Sequence, residues 1–393
     1  MCIENASEHS LLRIYGKINR LYYKINTPDF WTDGDEDKKC KDFINGCFVK
    51  GEKDGLLDFD FRESYLDNGK HLHTVSLYLM GTAFIEKNSL IENSLERQLR
   101  TFLSEYDKWY NVKATDKNCD SENYDFLYTW YLTALYHDVA SCVENIRIPE
   151  NPTERQKDLE YYLGELDVVY SPYGNFPYRK LRTPQRFSEN LIRNYFYYRA
   201  NKGSCEHGIL AGYLFFDRFV KNFLRYSRNK KIIKKGFIEE AGNLKWHIEQ
   251  LSHAAYVADA IICHNIWMGG EMDTELYRAY GLSPLLYTEH SENKLSIKNY
   301  PLQFMLCLLD TIEPVKRFAK KSNEKIHYPT PREVLENVLL KFKENGLEVS
   351  WKRNISEQPE FEYWKKALED LQNWMEVRCN AQGDHVDISW NTN

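Results

Sequence analysis

The chain has 393 residues, length enough for two or three domains, and its 52 basic against 58 acidic side chains leave a formal net charge of −6. That balance excludes binding of a polyanion by bulk charge, so any contact with an anionic partner must come from local clusters. Nine cysteines, odd in number and without a CxxC pair, argue against a disulfide framework, and Met1 to Ser10 is polar with no long apolar run elsewhere; the expectation is a cytoplasmic protein with no membrane span. Aromatic residues stand out at 15%, which favours thick helix packing and names no ligand.

Apolar residues recur at spacings of three and four from about residue 10 to 320. The pattern predicts helices over 72–85, 90–109, 124–143, 187–199, 207–226, 245–264 and 302–319. Three interruptions separate them. Residues 113–123 are polar and read as a surface loop. Between about 147 and 184, Pro149, Pro152, Pro172, Pro177 and Pro184 break the pattern around one short expected helix over 154–166, where an inserted lid or specificity loop would lie. The third, 269–300, holds Gly281, Pro284 and a charged stretch over 289–294.

Past residue 320 the pattern changes. Pro329 and Pro331 punctuate, 332–343 reads as a helix, 347–351 alternates like a strand, 361–374 is again helical and 386–390 alternates once more. The expected organisation is a mainly α protein, with a helical bundle over 1–320 and a small α+β appendage over 321–393. No internal repeat is visible.

The histidines fall at the ends of the expected helices. His73 opens one, His137-Asp138 closes the apolar run Trp130-Tyr-Leu-Thr-Ala-Leu-Tyr136, His207 opens another and His264 closes one. Asp310 sits inside Leu306-Cys-Leu-Leu-Asp-Thr-Ile-Glu-Pro314, where a desolvated carboxylate is costly without a cation or hydrogen-bond partner. Adjacent imidazole and carboxylate groups can grip one divalent ion. His71 rivals His73, the apolar pattern favouring His73, and His247 and His253 share a helix with His264. Glu206 and Glu313 are candidates to fix a histidine tautomer, and Asn265 to orient substrate or cap a helix.

In this order the chain resembles the HD-domain metal-dependent phosphohydrolase superfamily, whose pattern is a histidine, a His-Asp pair and a distant aspartate on an all-helical bundle. The stretch Tyr131-Leu-Thr-Ala-Leu-Tyr-His-Asp-Val139 resembles the family's run into its His-Asp pair, and Tyr300 to Pro314 resembles the helix that delivers its last aspartate. The likeness spans roughly residues 60 to 320. It implies an HD-type fold with His73, His137, Asp138 and Asp310 around one ion. As in two-metal members, Asp138 would bridge to a second ion held by His207 and His264, the metal being Mn, Fe, Ni, Co or Mg. The chain departs from common members in lacking a glycine and a lysine soon after the pair, and it lacks the HD-GYP signature.

Two divalent ions lower the pKa of a shared water and stabilise charge on a phosphoryl group, so phosphoester hydrolysis is the expected reaction class, phosphodiesterase activity included. Asp138 would act in catalysis, and His253 is the candidate acid for the leaving oxygen. A basic and aromatic segment before His207 supplies candidate phosphate contacts in Arg186, Arg193, Arg199 and Lys202. The expected substrate is therefore a nucleotide or a nucleic-acid phosphoester. A di-iron oxygenase on the same ligands, and a non-catalytic nucleotide-sensing or interaction module with the appendage as a protein-docking surface, stand as alternatives.

Overall fold

The structure, a computed structural model, describes residues 70–88, 126–141, 152–174, 185–227, 249–268, 274–318 and 331–390. In chain order its helices are α1 (Lys70–Lys87), α2 (Phe126–Tyr136), α3 (Glu154–Lys157), α4 (Leu159–Glu165), α5 (Glu189–Asn201), α6 (His207–Ser227) and α7 (Glu249–Cys263). They continue with α8 (Thr274–Ala279), α9 (Pro301–Ile312), α10 (Pro314–Phe318), α11 (Pro331–Asn337), α12 (Arg353–Ser356) and α13 (Phe361–Trp374). Four strands, β1 (Val338–Lys343), β2 (Gly346–Trp351), β3 (Val377–Gln382) and β4 (His385–Trp390), form an antiparallel sheet in the order β1-β2-β4-β3. The chain is thus mostly helical among the described residues, with a small sheet near its C-terminus, and none of those helices is long and apolar enough to cross a membrane. The helix expected over 90–109 and the loop expected over 113–123 lie outside the described residues.

Two compact units divide the chain. The first holds the described residues 70–88 and those from 267 onward; the second holds those from 126 to 266.

In the second unit, α2 is apolar on every side, and Trp130 to Tyr136 are each no more than 2% exposed. A helix without a polar face has to be surrounded, and α6 and α7 pack against it. These two helices approach closely at glycines one turn apart. A Cβ at Gly208 would fall 2.7 Å from His264 Cε1, and one at Gly212 would fall 2.5 Å from Ile262 Cγ1 and 2.7 Å from the Ala258 carbonyl oxygen.

The single helix expected over 154–166 is divided in two. Thr153 and Gln156 form a capping box that starts α3, while Asp158, in extended backbone, accepts from the Glu160 amide and starts α4 afresh. The segment beyond α4 is stitched to the unit's long helices. The Val169 and Tyr170 amides donate to Asp217 Oδ1 on α6 at 2.8 and 3.0 Å, and the Tyr173 hydroxyl donates to Asp259 Oδ1 on α7 at 2.7 Å.

In the first unit, the helix expected over 332–343 is corrected: it stops at Asn337 and the chain continues as β1. Val334, Val338 and Phe342 recur every four residues and mimic a helix face, yet Val338, Leu340 and Phe342 also alternate and serve a strand equally well. The pairing Val338↔Trp351 through Lys343↔Gly346 decides for the strand. The β3 strand, absent from the expectations, alternates the short side chains of Val377, Cys379 and Ala381 with polar residues and returns into β4 through a tight turn at Gly383, whose φ of 57° suits glycine. One face of the sheet is buried, and Trp390 on it packs edge-on against Phe84 of α1 and Phe304 of α9, so the C-terminal α+β segment shares a core with these two helices.

The helix expected over 302–319 is broken. Pro301 starts α9, and Pro314 forces Glu313 into extended backbone, so α9 ends at Ile312 and α10 begins anew. That corner carries a cluster of charged side chains around His73.

Candidate metal centre

The second unit gathers Asp138, His207 and His264, all buried, with one potential ligand atom from each within 4.8 Å of the others. Each arrives from a helix end. The chain leaves α2 through turns at 137–140 that aim the Asp138 carboxylate inward, fully buried. His207 is the first residue of α6, and His264 follows the last residue of α7. His207 Nε2 lies 2.9 Å from Asp138 Oδ1, and the His264 ring stands 5.6 Å from that of His207 and 5.5 Å from that of His137, centre to centre.

Two of these imidazoles have a fixed tautomer. Nδ1 of His137 lies 2.9 Å from the Ala134 carbonyl oxygen and Nδ1 of His264 lies 2.6 Å from that of Ile261. A carbonyl oxygen only accepts, so the proton sits on Nδ1 and, in the neutral ring, the lone pair on Nε2. This is the arrangement by which proteins orient a metal-binding histidine. His207 is held differently: Asn265 Nδ2 stands 3.1 Å from its Nε2, and Glu206 Oε1 stands 3.9 Å from its Nδ1. Glu206, 2% exposed, is itself paired with Arg199 of α5 at 3.3 Å.

The first unit gathers His73, Asp310, Glu313 and Lys316. His73 lies between two carboxylates, with Nδ1 2.8 Å from Glu313 Oε2 and Nε2 3.0 Å from Asp310 Oδ1. The Glu313 carboxylate also accepts from the Ser76 hydroxyl at 2.6 Å and from the amides of Val315 and Lys316 at 2.9 and 2.8 Å, while Lys316 Nζ stands 2.9 Å from Asp310 Oδ1. Burial and the Lys316 ammonium push the His73 pKa down. Asp310 and Glu313 push it up further, and the balance lies above the ordinary value. Burial would raise Glu313, but its donors His73, Ser76 and the Lys316 amide hold it below the usual carboxylate range.

The six candidate ligands are therefore all buried, His73 and Asp310 paired in one unit, Asp138, His207 and His264 grouped with His137 in the other. The candidate phosphate contacts fare unevenly. Arg193 pairs with Glu160 of α4 and Arg199 with Glu206, whereas Arg186 lies over the Phe187 ring and Lys202 is exposed at the end of α5, over Tyr198. His253 lies on α7 three turns before His264, about 16 Å along the axis, beyond the reach of a group bound at His264. The side chains of His71 and His247 lie outside the described residues.

Lys316 and Ser76 were not apparent from the sequence pattern. Six residues beyond Asp310 on an unbroken helix, Lys316 would sit roughly 240° away around the axis, and only the Pro314 break brings it back. Ser76, one turn after His73, had a helical spacing that could have drawn notice.

No protein-family model, curated protein or solved structure matches the chain. The chemistry therefore rests on the clusters themselves. A buried set of imidazoles with fixed tautomers around a buried carboxylate is a donor set that suits a divalent transition-metal ion.

Proposed function

We propose that the chain is a divalent-metal-dependent phosphohydrolase of HD type, acting on a nucleotide or nucleic-acid phosphoester. The observation that supports this reading best is the buried Asp138, His207 and His264 set, together with the carbonyl-fixed rings of His137 and His264. The motif order assigns His73 and Asp310 to metal binding as well, so one or two ions per chain are expected. When bound, such ions supply Lewis acidity, lowering the pKa of a water and stabilising charge on a phosphoryl group.

The chain's own residues do the remainder. Asp138, fully buried, would offset part of the charge of a cation held there. Asp138 and Asn265 meet the His207 ring at Nε2, and Glu206, paired with Arg199, places a carboxylate near it. Arg186, Arg193, Arg199 and Lys202 are the basic residues assigned to the substrate's phosphates, with Arg193 and Arg199 also meeting Glu160 and Glu206. The leaving-group acid is not assigned to His253, given its distance along α7.

A direct test screens the full chain with Mn, Ni, Co, Mg and Fe in turn against deoxynucleoside triphosphates, cyclic nucleotides and single-stranded nucleic acid, beside Asp138→Ala. Metal-dependent release of phosphate or nucleotide that vanishes in Asp138→Ala supports the reading. Full activity in that variant, or oxygen-dependent turnover with iron and none on phosphoesters, overturns it.

A further inference from the structure

We propose that Lys316 sets the cation affinity of the His73–Asp310 pair, holding as a built-in counter-cation the carboxylate oxygen that a metal ion at that pair would use. The inference rests on the proposed metal-binding function. Its geometry is specific: Asp310 Oδ1 is the atom that faces His73 Nε2 at 3.0 Å, and the same atom receives Lys316 Nζ at 2.9 Å. An ion ligated there would lie within a few ångströms of an ammonium, and the two cations would repel at close range in a poorly hydrated place.

The surrounding contacts allow Lys316 to yield. Its main-chain amide is committed to Glu313, which fixes the backbone of α10, but the ammonium sits on a flexible stem whose side chain is 20% exposed. It can swing to solvent without moving the helix. His73 cannot swing: its Nδ1 is held by Glu313, which is itself fixed by Ser76 and two amides, so Nε2 keeps facing Asp310. Loading a metal at this pair is then an exchange of one cation for another. The buried Asp310 carboxylate is compensated in both states, and the exchange weakens metal binding relative to a pair without the lysine.

The test uses the full chain, metal-free and titrated with Mn, Co or Ni alone, comparing wild type with Lys316→Met and Lys316→Arg by calorimetric titration and thermal unfolding. Lys316→Met is expected to bind its ion more tightly, on the order of tenfold, to melt lower without metal, and so to show a larger metal-induced rise in Tm. Lys316→Arg, which keeps the charge, should resemble wild type. In an Asp310→Asn background, Lys316→Met should bring no tightening. Unchanged or weaker affinity in Lys316→Met, or tightening that persists with Asp310→Asn, overturns the inference while leaving the metal-binding reading intact. Absence of ion uptake by wild type and both variants overturns both.

Discussion

Gly208→Ala separates positioning of the proposed ligand His264 from stability of the fold. The added methyl would stand 2.7 Å from His264 Cε1, 2.9 Å from Nδ1 and 3.2 Å from the Ile261 carbonyl oxygen. Carbon atoms rest at about 3.5–4.0 Å, so the ring has to retreat by roughly 1 Å, and the carbonyl that holds Nδ1 lies on the same side. Metal–ligand distances tolerate about 0.2 Å, and disturbing a group that orients a ligand typically costs about 10–100-fold in metal affinity. The fold itself should suffer less. Crowding costs about 1–3 kcal/mol and a helical Gly→Ala change returns up to about 1 kcal/mol, leaving a net loss of about 0–2 kcal/mol. Gly212→Ala is the contrast, because its methyl meets the Ala258 carbonyl oxygen at 2.7 Å and the Ile262 amide nitrogen at 3.0 Å, main-chain atoms that cannot turn aside. It should destabilise more. The assay is metal titration with Mn or Co alongside thermal unfolding of each variant. Wild-type affinity in a folded Gly208→Ala protein would refute the placement of His264 as a ligand.

Three other expectations concern parts of the fold away from the ligands. Tyr173→Phe removes the hydroxyl that donates to the buried Asp259 and should cost about 1–3 kcal/mol, read as a lower midpoint in urea; an unchanged midpoint would mean the bond contributes nothing. Asp217→Ala frees the Val169 and Tyr170 amides and leaves Arg218 and Lys221 only their contacts at Leu166 and Asp167, so hydrogen exchange at 169 and 170 should accelerate well beyond the global change; equal acceleration everywhere would contradict a local staple. Burial pushes the Cys379 thiol up to about 12 from an ordinary 9.0. A raised thiol pKa means the unfolded chain ionises first, so this group's contribution to stability is complete below pH 9.0 and is lost as pH rises towards 12. Comparing Cys379→Ala with wild type between pH 8 and 11 should show the wild type losing stability faster, and parallel profiles would sink the assignment.

Much of the helical layout was legible because it rests on burial that repeats at a helical period. The helix over Phe361–Trp374 coincides with its expected bounds, and α6 differs by one residue. Where expectation failed, a single local competitor decided. Asp158 offered its own side chain to the Glu160 amide, Pro314 removed a donor, and the segment from Val338 to Lys343 satisfied two periods until β2 settled it. A short strand takes its stability from the strand it pairs with, and the pattern of one segment read alone does not show that partner. The edge strand β3, whose apolar face holds only Val377, Cys379 and Ala381, shows the same dependence.

The candidate ligands were legible for a different reason. Histidines at the ends of apolar helices are visible in sequence, and His73, His137, His207 and His264 are indeed buried. Asp310, a carboxylate inside an apolar helix, is a less specific signal. Asp259 sits in the equally apolar Val257-Ala-Asp-Ala-Ile261, is fully buried, and is served by a tyrosine hydroxyl. A buried aspartate announces a partner without saying whether it is a cation. Lys316 reaches Asp310 through the helix break at Pro314, which periodicity does not register, whereas Ser76, one turn after His73, keeps a helical spacing.

The ion proposed at Asp138, His207 and His264 has a direct signature. Metal content after loading with Mn or Co and desalting tests it most directly, measured on wild type, Asp138→Asn and His264→Ala, each verified as folded by circular dichroism. At least one ion per wild-type chain is expected, with loss of that ion in both variants. Equal metal content in all three proteins, or none in the wild type, would contradict it.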